Sequence, residues 1–403
     1  MAKHRDVLFL TLRVFSATGG IEKVCKIVCK TLSDLKAISN KHNELAAKIP
    51  DGYIPNSIKE ILVYSMYDAT ADVNEKYISS SLFKGFYQQK LSFSTAAIQK
   101  GIHSKIVILS HINLLSLGCI IKLLSPQTKL VLLAHGIEVW EPLSAIRKWM
   151  LTKCDRVICV SEFTKNAILA ITKISDKKVL VLNNCLDPFL PAPITTGKNK
   201  DLQKKYGLKQ HDVVLITLTR LSSKELYKGY DHVLGCLKNL STLYPNIKYL
   251  IIGRYDEAEK VRLDIIIEKN QLKDHVIFTG YIMDIEIAEH YNLADMYVMP
   301  SKKEGFGIVF IEAMYYGLPV IAGNKDGSVD ALLNGKLGYL VDPDNKAAVS
   351  NAIETVINNT NQFLPDRKLL LQHFGYEAYK QKLSNILQQL NPAVLKKNDA
   401  THL

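Results

Sequence analysis

Short runs of branched aliphatic residues recur along this chain with amphipathic segments between them, and that alternation constrains the fold more than any other feature. Two parallel strands cannot be joined by a tight turn; they need a crossover, most often a helix, so a regular strand–helix rhythm specifies parallel sheets covered by helices. In the first half the strand candidates are Val7–Leu12, Ile61–Ser65, Lys105–Leu109, Lys129–Ala134, Arg156–Val160 and Lys178–Leu182, with helices expected over Ile21–Lys36, Ser80–Lys100 and Glu162–Ile171. The second half repeats the rhythm with strands at Val213–Leu218, Lys248–Ile252, Val276–Thr279, Met296–Met299 and Pro319–Ala322, and helices at Tyr230–Leu240, Asp256–Lys269 and Ile308–Tyr316.

A chain of 403 residues exceeds one ordinary core, so two α/β domains of about 200 residues each are expected. The break falls where Pro188, Pro191 and Pro193 precede the polar stretch from Ile194 to Lys200, a composition suited to a linker. The expected organisation is a Rossmann-like domain over 1–190, a linker over 191–207, a second Rossmann-like domain over 208–375, and a C-terminal helix and tail over 376–403, frayed from Lys396. Two such parallel sheets leave a central cleft between the carboxyl ends of their strands, where open α/β sheets bind ligands.

Charge is distributed unevenly. Residues 1–190 hold 25 Lys and Arg against 15 Asp and Glu, a net +10 of the chain's +12. The first half is therefore suited to an anionic surface such as a membrane leaflet or a phosphate-bearing lipid. No aromatic stacking platform accompanies the charge, so no nucleic-acid partner is expected. The seven cysteines are scattered without a CxxC pair, which offers neither a zinc site nor a disulfide framework and fits a cytoplasmic setting. Cys25 and Cys29, one helical turn apart, read as a packed helix face. The most apolar stretch, Ile106 to Leu124, contains His111, Asn113 and Lys122 and reads as a strand followed by a helix, not a membrane span.

The densest motif is Ser301-Lys-Lys-Glu304-Gly305-Phe306-Gly307-Ile308-Val309-Phe-Ile-Glu312-Ala-Met-Tyr-Tyr-Gly317-Leu-Pro319. A strand ends at Pro300, a glycine-rich turn follows, and a helix opens near Gly307; Gly317 supplies a left-handed stop. Glycines at a helix start let backbone N–H groups approach a phosphate or a sugar hydroxyl, with the positive end of the helix dipole behind them. A second cluster, Thr219-Arg220-Leu-Ser-Ser-Lys224-Glu-Leu-Tyr-Lys228-Gly229, follows a strand. Cations at a strand's carboxyl end are suited to stabilising negative charge that develops during a reaction. Lys224 and Lys228 both qualify, and Lys228 is favoured because Gly229 follows it. Two weaker features complete the set: Thr18-Gly19-Gly20 ahead of a helix, and His135-Gly136-Ile-Glu138 after a buried strand. Ser161-Glu162 reads as a helix cap.

The Glu304-to-Glu312 string resembles the E-x7-E motif of retaining GT-B glycosyltransferases, specifically glycosyltransferase family 4 (the group 1 type), and the loop from Gly323 to Gly335 is similar to the one that follows that motif in the family. The resemblance implies a GT-B fold and transfer of a hexose from a UDP- or GDP-sugar with retention of configuration. It implies that Glu304 contacts the donor sugar, that the amides of Gly305, Phe306, Gly307, Ile308 and Val309 meet sugar hydroxyls and phosphate, and that Glu312 takes the ribose. Arg220 and Lys228 match the family's Arg…Lys-Gly pair, though their spacing is longer than in many members. Gly19 and Gly20 would approach the donor phosphates, and His135 the donor sugar; Glu138 is read as lining the acceptor side. The basic first domain would bind the acceptor, a glycan or lipid-linked saccharide at the cytoplasmic face of a membrane, in cell-surface polysaccharide synthesis.

No metal and no cofactor are expected. Metal-dependent transferases of the other common fold use a DxD after an apolar strand, and the single DxD, Asp342-Pro-Asp344, reads as a turn leading into a helix cap at Asn345. Two rivals share the fold: an NDP-sugar 2-epimerase, which would turn over donor without acceptor, and a noncatalytic nucleotide-sugar-binding protein, which has no need of Glu304, Arg220 and Lys228.

Overall fold

The structure, a computed structural model, describes residues 5–46, 58–194 and 197–390. The chain divides into two compact units, the first made of residues up to Asp187 and from Glu377 onward, the second of Pro188–Tyr376.

The first unit runs β1 (Arg5–Thr11), α1 (Gly20–Ala46), β2 (Ile61–Ser65), β3 (Phe83–Gly85), α2 (Lys90–Gly101), β4 (Ser104–Leu109), α3 (Leu115–Leu124), β5 (Lys129–Ala134), α4 (Ile137–Trp140), α5 (Ala145–Thr152), β6 (Arg156–Cys159), α6 (Glu162–Ile171) and β7 (Val179–Val181). Its seven strands are all parallel in the order β3-β2-β1-β4-β5-β6-β7. Strands buried on both faces read as continuous apolar runs, and Val7, Leu8, Phe9 and Leu10 of β1 are all fully buried. Cys25 and Cys29 are buried in α1, and Ser161 caps α6 by accepting from the Thr164 N–H at 3.1 Å.

The second unit runs α7 (Lys200–Tyr206), β8 (Val213–Leu218), α8 (Tyr230–Leu243), β9 (Ile247–Ile252), α9 (Glu257–Lys269), β10 (Val276–Gly280), α10 (Ile287–Leu293), β11 (Met296–Met299), α11 (Ile308–Tyr315), β12 (Val320–Gly323), α12 (Ser328–Ala331), β13 (Tyr339–Val341), α13 (Lys346–Asn358) and α14 (Arg367–Phe374). Its six strands are parallel in the order β10-β9-β8-β11-β12-β13. The last helix, α15 (Tyr376–Gln389), belongs almost entirely to the first unit.

Two local differences from the sequence reading have physical causes. The helix expected over Ser80–Lys100 is instead a short 3-10 turn, the edge strand β3, and helix α2 from Lys90. Gly85 packs so tightly that a Cβ there would lie 2.3 Å from the Ala69 carbonyl carbon, and Tyr87 and Gln88 both take positive φ, which interrupts any helix. The stretch read as linker contains α7, because Asn199 accepts from the Asp201 and Leu202 N–H groups and Gly207 closes the helix in a left-handed conformation. The linker's Thr195 and Thr196, and the tail from Lys396, lie outside the described residues. Among the described residues no helix is long and apolar enough to cross a membrane.

Candidate active site

In a doubly wound sheet, loops leaving adjacent strands diverge where the strand order reverses, and ligands bind in the crevice this opens at the carboxyl ends. The reversal lies between β1 and β4 in the first sheet and between β8 and β11 in the second. The strand ends bordering these two points carry the sequence candidates. Gly19 and Gly20 follow β1, His135 follows β5 beside β4, Arg220 and Lys228 follow β8, and Glu304 to Val309 follow β11.

In the second unit, Lys228 Nζ donates to Glu304 Oε1 at 2.7 Å and Oε2 at 3.2 Å, each side chain only 15% exposed. Burial alone would lower the Lys228 pKa, but the charge of Glu304 and its hydrogen bond outweigh that and raise it above the ordinary lysine value. Gly229 takes φ +78, and a Cβ there would sit 2.2 Å from the Pro300 carbonyl oxygen. The strand end before Glu304 thus packs directly on the turn after Lys228, and this close approach requires glycine.

Glu304 is held from behind. Its N–H donates to Asp326 Oδ2 at 2.7 Å, the Ser301 hydroxyl donates to the same oxygen at 3.0 Å, and the Ser328 N–H donates to Oδ1 at 2.9 Å. The Gly327 N–H in turn donates to the Glu304 carbonyl at 2.8 Å. Asp326 is buried, and burial pushes its carboxyl up to about 6 despite these donors. This anchor was not singled out in the sequence; its one signal is its place in the loop between Gly323 and Gly335.

Gly307, at φ +86, opens α11, whose first N–H groups have no intrahelical acceptor, as at any helix start. Phe306 turns its ring inward, edge-on to Phe374 at 5.4 Å, which anchors the turn ahead of the helix. Ile308 is buried, and the Val309 carbonyl accepts from the Tyr291 hydroxyl at 3.4 Å. Glu312 is 1% exposed, so it is not a solvent-facing helix residue; its charge acts on the stacked pair Tyr291 and Tyr316, whose centroids are 5.2 Å apart.

Arg220 extends into solvent, its side chain 71% exposed, and pairs with Glu225. Lys224 is also exposed, and unlike Lys228 it is not brought to Glu304. The DxD forms a turn: Lys325 bridges Asp342 at 2.7 Å and Asp344 at 2.8 Å, Lys302 also pairs with Asp344, and the two lysines hold the Asp344 carboxyl down at about 2. Asn345 caps α13 by accepting from the Ala348 N–H at 3.0 Å.

In the first unit, the loop leading to Gly19 and Gly20 is organised by a residue the sequence reading missed. Buried Asp68 accepts from the N–H groups of Val14 at 2.6 Å, Phe15 at 3.3 Å and Ser16 at 2.8 Å, and from the hydroxyls of Ser16 and Ser65. His135 Nε2 lies 2.7 Å from the Ser110 carbonyl. A carbonyl only accepts, so Nε2 carries a proton, and Nδ1 has no hydrogen-bond partner among the described residues. Glu138 accepts the His135 N–H at 2.5 Å, so this carboxylate shapes the histidine's own turn.

Residues 198–381 match the model of the glycosyl transferases group 1, and residues 69–188 that of Glycosyltransferase Family 4. The chain is 29% identical over 281 residues to the GDP-mannose-dependent alpha-(1-6)-phosphatidylinositol monomannoside mannosyltransferase of Mycobacterium tuberculosis, covering 66% of this chain and 71% of that one. It is 26% identical over 203 residues to the capsular polysaccharide biosynthesis glycosyltransferase CapM of Staphylococcus aureus, about half of each chain. Among solved structures, Anabaena Alr3699/HepE in complex with UDP and glucose superposes with a TM-score of 0.74 at 19% identity, over 96% of this chain and 100% of that one. A glycosyltransferase from Rickettsia africae ESF-5 gives 0.71 at 17% identity, over 96% and 99%. These likenesses establish the GT-B fold. With family models matching both halves, the chain belongs to the group 1, family 4 glycosyltransferases.

Proposed function

We propose that this glycosyltransferase moves a hexose from a UDP- or GDP-sugar to a glycan or lipid-linked acceptor, with retention of configuration and without a metal ion, in the synthesis of a cell-surface polysaccharide or glycolipid. The observation that carries the reading is the Lys228–Glu304 pair at the second sheet's reversal point, beside the glycine-opened start of α11. A half-buried ammonium stabilises the charge that grows on a leaving diphosphate more in the transition state than in the ground state. Exposed Arg220 adds a fork that fits two phosphate oxygens. Gly19 and Gly20 serve the phosphates, the amides of Gly305 to Val309 and His135 serve the donor sugar, and Glu312 serves the ribose. The activities of the mycobacterial and staphylococcal relatives support a nucleotide-sugar donor and a surface glycan or glycolipid product. The acceptor is placed at the cytoplasmic face of a membrane.

The test is a thermal-shift panel of UDP-, GDP- and ADP-sugars, followed by transfer with the donor that binds. At a hundred-fold excess over its Kd a donor adds about 2.7 kcal/mol of stability. Transfer is expected to persist in excess EDTA, and loss restored by manganese would overturn metal independence. An inverted anomeric centre in the product, read by NMR, would overturn retention. Donor turnover without acceptor would favour the epimerase.

A further inference from the structure

Helices pack one face on a sheet and turn the other to water, and the outward face is ordinarily polar. Two neighbouring helices of the first unit break that rule. On α3, Ile120, Leu123 and Leu124 are exposed, Leu123 by 80%; their spacing puts all three on one helix face. On α5, Ile146 and Trp149 are exposed, Trp149 by 56%. The helices are tied together, with the Cys119 thiol 3.8 Å from the Met150 carbonyl and an Arg147 guanidinium nitrogen 3.3 Å from Asn113 Oδ1.

The charged residues on these two helices are all basic. α5 carries Arg147 and Lys148, and Lys153 follows it with its ammonium 4.8 Å from the Trp149 ring centroid. Neither helix contains an acidic residue. Lys122, on α3, is engaged by Asp155 at 2.9 Å, and the exposed Glu141 lies ahead of Ser144, the α5 cap. The second unit offers a contrast: Val261 and Ile265 of α9 are also exposed, but that helix mixes Glu257, Glu259, Asp264 and Glu268 with Lys260, Arg262 and Lys269 and so has no excess of positive charge.

We propose that the outer face of α3 and α5 docks on an anionic lipid bilayer, with Leu123, Ile146 and Trp149 entering the interface and Arg147, Lys148 and Lys153 meeting the headgroups. Tryptophan with an adjacent cation is suited to that boundary, since its ring is apolar and its N–H and neighbour are wet. The inference rests on the proposed lipid-linked acceptor and adds the surface by which the enzyme would reach it.

The test is co-sedimentation of the full chain with vesicles of phosphatidylcholine plus phosphatidylglycerol, against phosphatidylcholine alone. Each cation near an anionic surface is worth about five-fold in binding, so three give on the order of 100-fold between the two vesicle types. The triple variant R147Q/K148Q/K153Q, confined to surface positions, is expected to abolish that difference. L123S/W149S is expected to lose at least about ten-fold on anionic vesicles. If both variants bind as the wild type does, or the wild type ignores anionic vesicles at low salt, the surface is overturned. If W149S instead breaks a concentration-dependent dimer seen by sedimentation, the face belongs to a second copy and the lipid proposal is overturned. The donor-induced thermal shift is measured on every variant: its persistence leaves the glycosyltransfer reading standing whatever the vesicles report.

Discussion

Lys228 and Glu304 can be tested as a pair whose stability and chemistry separate. Each is 15% exposed and they meet at 2.7 Å. Removing one partner of a buried ion pair strands the other, which costs about 3–5 kcal/mol when burial is complete. The residual exposure places Lys228→Met and Glu304→Gln near the lower end, about 3 kcal/mol each. For a unit the size of Pro188–Tyr376, 1 kcal/mol moves Tm by about 2–4 °C, so each single variant is expected to melt about 6–12 °C below wild type. The double variant has no stranded charge and is expected to return to within about 1 kcal/mol of wild type, which is non-additivity of the sort contacting residues show. Turnover with saturating donor is expected to behave otherwise, staying down by about 100- to 1000-fold in Lys228→Met and in the double variant alike. Calorimetry and steady-state kinetics on the four proteins decide it. Single variants melting within about 2 °C of wild type would refute the stranded-charge argument, and a fully active double variant would refute the role in the leaving-group site.

Three further outcomes follow from other residues of the two units. Lys224→Ala is expected to keep wild-type turnover while Arg220→Lys stays impaired, because a point charge cannot replace the guanidinium fork; a crippled Lys224→Ala would move the leaving-group cation to that residue. Asp326 has a folded pKa of about 6 against an ordinary 3.8, so its contribution to stability is fully present below the ordinary value and is lost as pH rises through about 6. The wild type minus Asp326→Asn difference in unfolding free energy is then expected to fall by up to about 3 kcal/mol between pH 4 and pH 7, and a flat difference curve would refute the buried-carboxylate account. Asp68→Ala is expected to cost about 1–3 kcal/mol by stranding the buried donors of Val14 to Ser16; unchanged stability by urea denaturation would show that the loop before Gly19 does not depend on it.

Strands buried on both faces announce themselves as apolar runs, which is why the central strands and the helix starting after Gly307 were legible in the sequence. The edge was not: β3 is three residues between Ser80–Leu82 and a turn with positive φ at Tyr87 and Gln88, and Leu82, Phe83 and Phe86 in and around it fall at helical spacing. Local spacing also could not decide between Lys224 and Lys228, since only the packing of Gly229 on Pro300 brings the second lysine to Glu304. Asp68 and Asp326 escaped notice for a related reason. Each serves backbone N–H groups, those of Asp68 lying more than fifty residues away in sequence, and a carboxylate that satisfies main-chain donors has no motif of its own.

The return of α15 to the first unit has a consequence for biosynthesis. Tyr379, Leu383 and Leu387 are buried, so the first-made sheet is covered in part by a helix made after the whole of the second unit. As the chain leaves the ribosome, Pro188–Tyr376 emerges as one continuous stretch, and domains fold as units when their segments become available. Folding order is thereby inverted relative to synthesis: the second unit can complete first, while the first waits with an apolar seat uncovered. A chain released before α15 would carry that seat on its surface, a mark by which chaperones and proteases can tell an unfinished enzyme from a whole one.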